Sequence, residues 1–120
     1  MKLVSIVFSF RNEEKNLKEL VSRVDATFKK VENYEYELIF VNDDSNDNSE
    51  KTLEDLQDSH RIKIINMSRT FGVGPCVLAG FKYSSGDCII YLDSDLQDPP
   101  ELIPKLLDEF EKGHDVVHTV

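Results

Sequence analysis

An α/β fold built on a doubly wound, mostly parallel sheet is what this sequence predicts, and three observations carry it. Residues 3–10 form an apolar run broken only by Ser5 and Ser9, the pattern of a strand buried on both faces. Short apolar segments then alternate with segments of helical periodicity along the whole chain, with no repeat and no low-complexity linker between them. Polar, turn-forming residues cluster at the carboxyl ends of the apolar runs, the edge at which open parallel sheets bind ligands.

After the first strand, Asn12 is placed to cap a helix whose first turn carries Glu13 and Glu14, where carboxylates meet the positive end of the helix dipole. Leu17, Leu20, Val21, Val24, Phe28 and Val31 follow at helical spacing and make one apolar stripe. Residues 38–41 predict a second buried strand, closed by the turn cluster 42–48. A helix over 49–57 with Leu53 and Leu56 inward and a strand over 62–67 come next. Gly72, Gly74 and Pro75 predict a turn into a helix over 76–83, where Ala79 and Gly80 allow close approach to the sheet. A strand over 89–92 breaks at Asp93. Asp98 and Glu101 have the spacing of a capping pair, and Pro104 predicts an irregular turn through Ile103 with a regular helix over 104–111. Gly113 ends that helix, and 115–120 begins a fifth strand.

The chain has 120 residues, 40% hydrophobic and 31% charged, which suits one globular domain and argues against disorder. A net charge of -9 speaks against nucleic acid, whose binding needs clustered Lys and Arg. An anionic ligand on so acidic a chain requires a positive intermediary, and a divalent cation is the simplest. Cys76 and Cys88 lack metal-ligand or redox spacing and read as reduced core thiols. No small-residue cleavage site follows the first apolar run, and no apolar stretch reaches the roughly 18 residues of a spanning helix. The chain therefore reads as cytoplasmic.

The chemistry-bearing residues fall at the strand ends. Asp93 and Asp95, two apart just past a buried strand, can present both carboxylates to one hard cation, Mg or Mn, holding a diphosphate. Asp43 and Asp44 follow the second strand; a carboxylate there accepts hydrogen bonds from a ribose or base, or closes an Asx turn. Arg69, beside Gly72, is within reach of phosphates at the same edge.

The segments beginning at Ser5 (Ser-Ile-Val-Phe-Ser-Phe-Arg-Asn-Glu-Glu), Glu37 (Glu-Leu-Ile-Phe-Val-Asn-Asp-Asp-Ser-Asn-Asp), Ser68 (Ser-Arg-Thr-Phe-Gly) and Tyr91 (Tyr-Leu-Asp-Ser-Asp-Leu-Gln-Asp-Pro-Pro-Glu-Leu-Ile-Pro) resemble glycosyltransferase family 2. Within it they are most similar to the polyprenyl-phosphate (dolichol-phosphate or bactoprenol) sugar transferases. The resemblance runs through essentially all 120 residues and is most specific in the last segment. It implies a GT-A fold and an inverting transfer of sugar from a nucleoside-diphosphate donor to a polyprenyl phosphate or glycan, at the cytoplasmic face of a membrane. By that resemblance Asp43 contacts the nucleoside, Asp93 and Asp95 hold the metal diphosphate, and Gln97 joins the metal. The nucleotide-lining set so expected is Phe10, Asn12, Glu14, Asp43, Arg69, Asp93 and Ser94. The chain departs from the family pattern at Asp44, where Gly is usual, and at Val73 and Gly74, where Lys or Gln and a polar residue are usual.

On this reading residues 1–120 are the nucleotide-sugar-binding part of a transferase domain that ends before its acceptor half. The catalytic base then lies beyond Val120, and an exposed strand edge favours self-association. A non-catalytic nucleotide-binding module of the same fold is the main alternative. A phosphatase with an Asp nucleophile would need Gly or Thr after the second Asp, where Leu96 stands. A receiver-type signalling module would carry its acidic pair after the first strand rather than the second.

Overall fold

In a computed structural model, described over residues 2–10, 14–31, 34–43, 49–57, 61–67, 72–92, 100–111 and 116–118, the first strand takes the centre of a parallel sheet. The strands are β1 (Lys2–Phe10), β2 (Tyr34–Asn42), β3 (Ile62–Asn66), β4 (Cys88–Tyr91) and β5 (Val116–His118). Among the described residues they form a five-stranded sheet in the order β3-β2-β1-β4-β5, and every pairing is parallel. The helices are α1 (Glu14–Phe28), α2 (Ser49–Gln57), α3 (Val73–Lys82) and α4 (Ile103–Glu111), with a 3₁₀ turn, Pro100–Leu102, leading into α4.

The alternation of β1 divides the core in two. Val4, Ile6, Phe8 and Phe10 pack on one face with Leu17, Leu20 and Val24 of α1, Leu53 of α2 and Ile103 of α4. Val7 faces the other way, with Ile39 and Val41 of β2 and Cys76 of α3. Each fully buried Leu or Phe of the larger face contributes about 1.5–3 kcal/mol. Phe8 stacks on Phe40 at 5.0 Å between ring centroids, joining β1 to β2 at their centre.

Several boundaries differ from expectation. β2 starts four residues before the apolar run at 38, since Tyr34 to Glu37 pair in register with Lys2 to Ser5. β3 stops at Asn66 and β4 is shifted back by one residue. α1 ends at Phe28, so Val31 reaches the core from the turn after the helix. α3 starts at Val73 rather than 76. Pro75 is its third residue, where a missing N–H costs nothing because the first turn has no intrahelical acceptor. Gly72 precedes it at φ 91°, a conformation in which a side chain would be strained. Arg23 of α1 grips both oxygens of Glu101, Nε donating at 3.1 Å to Oε2, and the capping pair expected of Asp98 and Glu101 turns on Asp98, which is not among the described residues. The expectations for Asn12, Asp98 and Gly113 lie outside the described residues. Neither cysteine is in a disulfide, and both are buried.

A buried carboxylate lay hidden in the polar start of β2. Glu37 is fully buried beside its register partner Ser5, whose hydroxyl donates to Oε2 at 2.6 Å. The backbone N–H of Ser85 donates to the same oxygen at 2.8 Å. Lys63 of β3 lies 3.1 Å from Oε1, an ion-pair contact, while its ammonium also donates to Tyr83 O and Ser85 Oγ. Gly86 N–H donates to Ser5 Oγ at 2.8 Å. Three strands and the turn before β4 are thus tied through one side chain, at the end of the sheet away from the strands' carboxyl termini.

Burial alone would raise the Glu37 pKa, but the hydrogen bonds from Ser5, Ser85 and Lys63, with the Lys63 charge, outweigh it and hold the carboxyl below its usual range. A depressed folded-state pKa adds stability that is complete above the unfolded value near ~4.3 and is lost as pH falls through the folded value. Glu37→Gln should therefore destabilise the chain by about 1–3 kcal/mol at neutral pH, a deficit that shrinks below about pH 4. Urea midpoints of both proteins between pH 3 and 7 check this. At Gly80 of α3, an added Cβ would fall inside the van der Waals envelope of Val7 Cγ1 and 3.4 Å from Val41 Cγ2. Gly80→Ala should cost about 1–3 kcal/mol by forcing α3 off the sheet, measurable in the same urea series.

Candidate functional site

In the order β3-β2-β1-β4-β5 the chain builds outward from β1 through β2 and β3, then returns to β1's other side for β4. The β1/β4 boundary is a topological switch point, and the carboxyl ends of the strands there are where such sheets bind ligands. Three backbone hydrogen bonds extend the ladders at this edge: Asp43 N–H to Phe10 O at 2.9 Å, Met67 N–H to Asn42 O at 2.9 Å and Leu92 N–H to Val7 O at 3.1 Å.

Asp43 is the expected site residue that this geometry describes most fully. Its residue is 8% exposed, and strand alternation puts it on the α3 face with Ile39 and Val41. Carboxylate Oδ2 accepts the N–H of Gly72 at 3.0 Å. The side chain is thus neither a solvated turn residue nor an Asx closure within its own loop alone. It reaches 29 residues along the chain to hold the start of α3. Cys76, one turn into α3, faces the same carboxylate. Its thiol pKa is pushed up to about 11 by burial, by the Asp43 charge and by a hydrogen bond to Asp43.

Phe10, expected here from its strand-end position, turns its ring into the core, edge-on to Phe40 at 6.1 Å. What it presents at this edge is backbone, and its carbonyl is taken by Asp43. Glu14 opens α1, directly after the β1 exit. Asn12, Arg69, Asp93, Ser94, Asp95 and Gln97 lie outside the described residues, as does Asp44. Among the described residues no group of three or more His, Cys, Asp or Glu could hold a metal. The donor set expected for one, two carboxylates and an amide oxygen, is the hard oxygen chemistry that suits Mg or Mn, and it follows Leu92 at the switch point.

Two polar pairs at this edge escaped sequence reasoning. Asn42 donates through Nδ2 to Asn66 Oδ1 at 3.0 Å, and Asn66 donates to Glu50 Oε1 of α2 at 3.1 Å. On the α3 face the hydroxyls of Ser9 and Tyr91 lie 2.8 Å apart, joining β1 to β4. A serine interrupting an apolar run was the available signal for the second pair. The first was hidden because Asn42 reads as a turn residue.

The glycosyl transferase family 2 model matches residues 5–120. The chain belongs to this family. It is 46% identical over 119 residues to the undecaprenyl-phosphate 4-deoxy-4-formamido-L-arabinose transferase of Proteus mirabilis, covering 97% of this chain and 36% of the relative. It is 37% identical over 113 residues to the dolichol-phosphate mannosyltransferase of Pyrococcus furiosus, covering 94% of this chain and 31% of that protein. The chain therefore spans about a third of the length of these curated relatives. Among solved structures, it superposes on glucosyl-3-phosphoglycerate synthase from Mycobacterium tuberculosis, in complex with Mn²⁺, uridine diphosphate and phosphoglyceric acid, with a TM-score of 0.72 at 21% identity. That match covers 94% of this chain and 40% of the synthase, and the fold it shares is the GT-A type expected of the family. No helix among the described residues is long and apolar enough to cross a membrane.

Burial and the raised thiol pKa make Cys76 inert: at pH 8 a thiol of pKa about 11 is ionised to roughly one part in a thousand. Cys88 is equally buried. Both thiols should resist a disulfide exchange reagent such as DTNB in the native protein and react promptly in denaturant, which absorbance at 412 nm reads directly.

Proposed function

We propose that this chain is the nucleotide-sugar-binding part of an inverting glycosyltransferase that moves a sugar from a nucleoside diphosphate to a polyprenyl phosphate. The observation that carries the reading is 46% identity across 97% of the chain to an undecaprenyl-phosphate sugar transferase. A switch-point edge with a buried, oriented carboxylate at Asp43 supports it.

In this reading Asp43 accepts a hydrogen bond from the nucleoside, its orientation fixed by the Gly72 N–H. Phe10, Asn12, Glu14 and Ser94 line the nucleotide, through backbone at Phe10, and Arg69 faces the phosphates. Asp93, Asp95 and Gln97 hold a divalent cation, Mg or Mn, which when bound balances the negative charge of the diphosphate. An acceptor phosphate oxygen forms a bond to the anomeric carbon as the bond from that carbon to the nucleoside diphosphate breaks, and attack from the opposite side inverts the centre. Groups orienting the acceptor belong to the portion of the relatives' length that this chain does not span. An acidic chain repels the diphosphate without the cation, so nucleotide and metal bind cooperatively. Association with a membrane surface follows from the lipid nature of the acceptor.

At 100 times the dissociation constant, a nucleoside diphosphate with Mn²⁺ should add about 2.7 kcal/mol of stability. A thermal-shift panel of UDP-, GDP- and CDP-sugars with Mg²⁺, Mn²⁺ or EDTA identifies the donor base. Asp95→Ala should abolish the metal-dependent part of that shift. Asp43→Asn, which keeps an oxygen for Gly72, should fold and lose about 1–3 kcal/mol of nucleotide affinity by calorimetry. A full metal-dependent shift in Asp95→Ala would remove the metal assignment, and undiminished affinity in Asp43→Asn would make that residue structural.

A further inference from the structure

Among the described residues, backbone joins the two strands that flank the switch point as far as the Val7–Tyr91 pair and the bond from Leu92 N–H to Val7 O. Above that level, on the α3 face, the link between them in the described residues is a side-chain one: Ser9 Oγ and Tyr91 Oη at 2.8 Å, both partly buried. Nothing in the packing of a parallel sheet asks for hydroxyls here, since the same face of β1 carries Val7 two residues earlier. A partly buried hydroxyl costs free energy unless it is hydrogen-bonded, and a satisfied polar pair specifies one geometry where apolar contacts tolerate several.

Its place in the chain gives the pair a role. Ser9 directly precedes Phe10 and the exit from β1, where Asn12 and Glu14 are proposed to meet the nucleotide. Tyr91 stands two residues before Asp93, the first of the proposed cation ligands. We propose that Ser9 and Tyr91 are a pair of positioning residues that sets the spacing between the nucleotide-binding exit of β1 and the cation-binding exit of β4. The nucleoside diphosphate and its cation then meet both at once. This inference rests on the metal-diphosphate reading of the site.

The test is a double-mutant cycle on binding of UDP and of GDP, each with Mn²⁺ and with EDTA, alongside thermal midpoints. Tyr91→Phe and Ser9→Ala should each weaken Mn²⁺-dependent binding by about three- to tenfold, the worth of one hydrogen bond. The double variant should lose no more than the worse single one. Binding in EDTA should stay at the wild-type EDTA value, the thermal midpoint should fall by no more than the loss of one hydrogen bond explains, and Ser9→Thr, which keeps the hydroxyl, should bind as wild type. Additive losses would mean that the two hydroxyls act separately and would overturn the pairing. Equal losses with and without Mn²⁺, or wild-type binding in both single variants, would also overturn it. Asp95→Ala in the same titration separates the two levels. If it abolishes Mn²⁺-dependent binding while the hydroxyl variants bind normally, only the positioning role falls. If it leaves that binding intact, or if the wild type shows none, the metal reading falls and the positioning role with it.

Discussion

The central constraint in this protein is the burial of β1 on both faces with a parallel partner on each side. From Val4 to Val7, where β2 pairs on one side and β4 on the other, the strand has no edge and no solvent face. All four side chains there are fully buried, while Lys2 at the strand's start stays exposed. The even-numbered ones, Val4 to Phe10, supply the apolar wall on which α1, α2 and α4 assemble. The odd-numbered ones, Ser5, Val7 and Ser9, are smaller and meet a thinner layer. Gly80 lets α3 come down onto Val7, Ser5 is bound by Glu37 and Gly86, and Ser9 by Tyr91. The two faces are therefore built by different means, bulk on one and close approach with hydrogen bonds on the other.

Parallel pairing then fixes where function can be. With every described strand running the same way, all the carboxyl ends share one edge, and the order β3-β2-β1-β4-β5 puts the switch point beside the central strand. Polar side chains are divided between the two ends. Glu37, Lys63 and Ser85 tie the amino-terminal side, where a buried carboxylate pairs with a half-exposed ammonium. Asp43, Gly72, Ser9 and Tyr91 occupy the carboxyl side. Such a division lets one end be rigid while the other presents groups to a ligand, and the electrostatic cost of the buried carboxylate at Glu37 is met far from the site.

Asp43 connects fold and site most directly. Its backbone N–H continues the β1–β2 ladder through Phe10, and its carboxylate receives the N–H of Gly72. The start of α3 and the end of β2 are thereby held together, with the Cys76 thiol packed beneath. A residue with those attachments is pre-oriented before any ligand arrives, which spares the ligand the entropy of ordering it.

How much could be read from residues alone follows from the range of the forces involved. Apolar runs and helical stripes are local signals, and they placed β1, α2 and α4 to within a residue or so, along with the strand-helix alternation from which the parallel sheet follows. Motif spacing put Asp43 at the carboxyl edge for the same reason, because strand ends are legible in a one-dimensional pattern, while Asp93 and Asp95 lie outside the described residues. Partnership was not legible. Glu37 looks like a solvated charge that shortens β2, until Ser5, Lys63 and Ser85, distant in sequence, surround it. Pro75 looks like a helix breaker until the start of α3 at Val73 places it where no N–H is needed. The Ser9–Tyr91 pair and the hold of Asp43 on Gly72 span 82 and 29 residues. Such contacts arise when the chain folds back on itself, and the local sequence pattern carries no record of which distant group will be there.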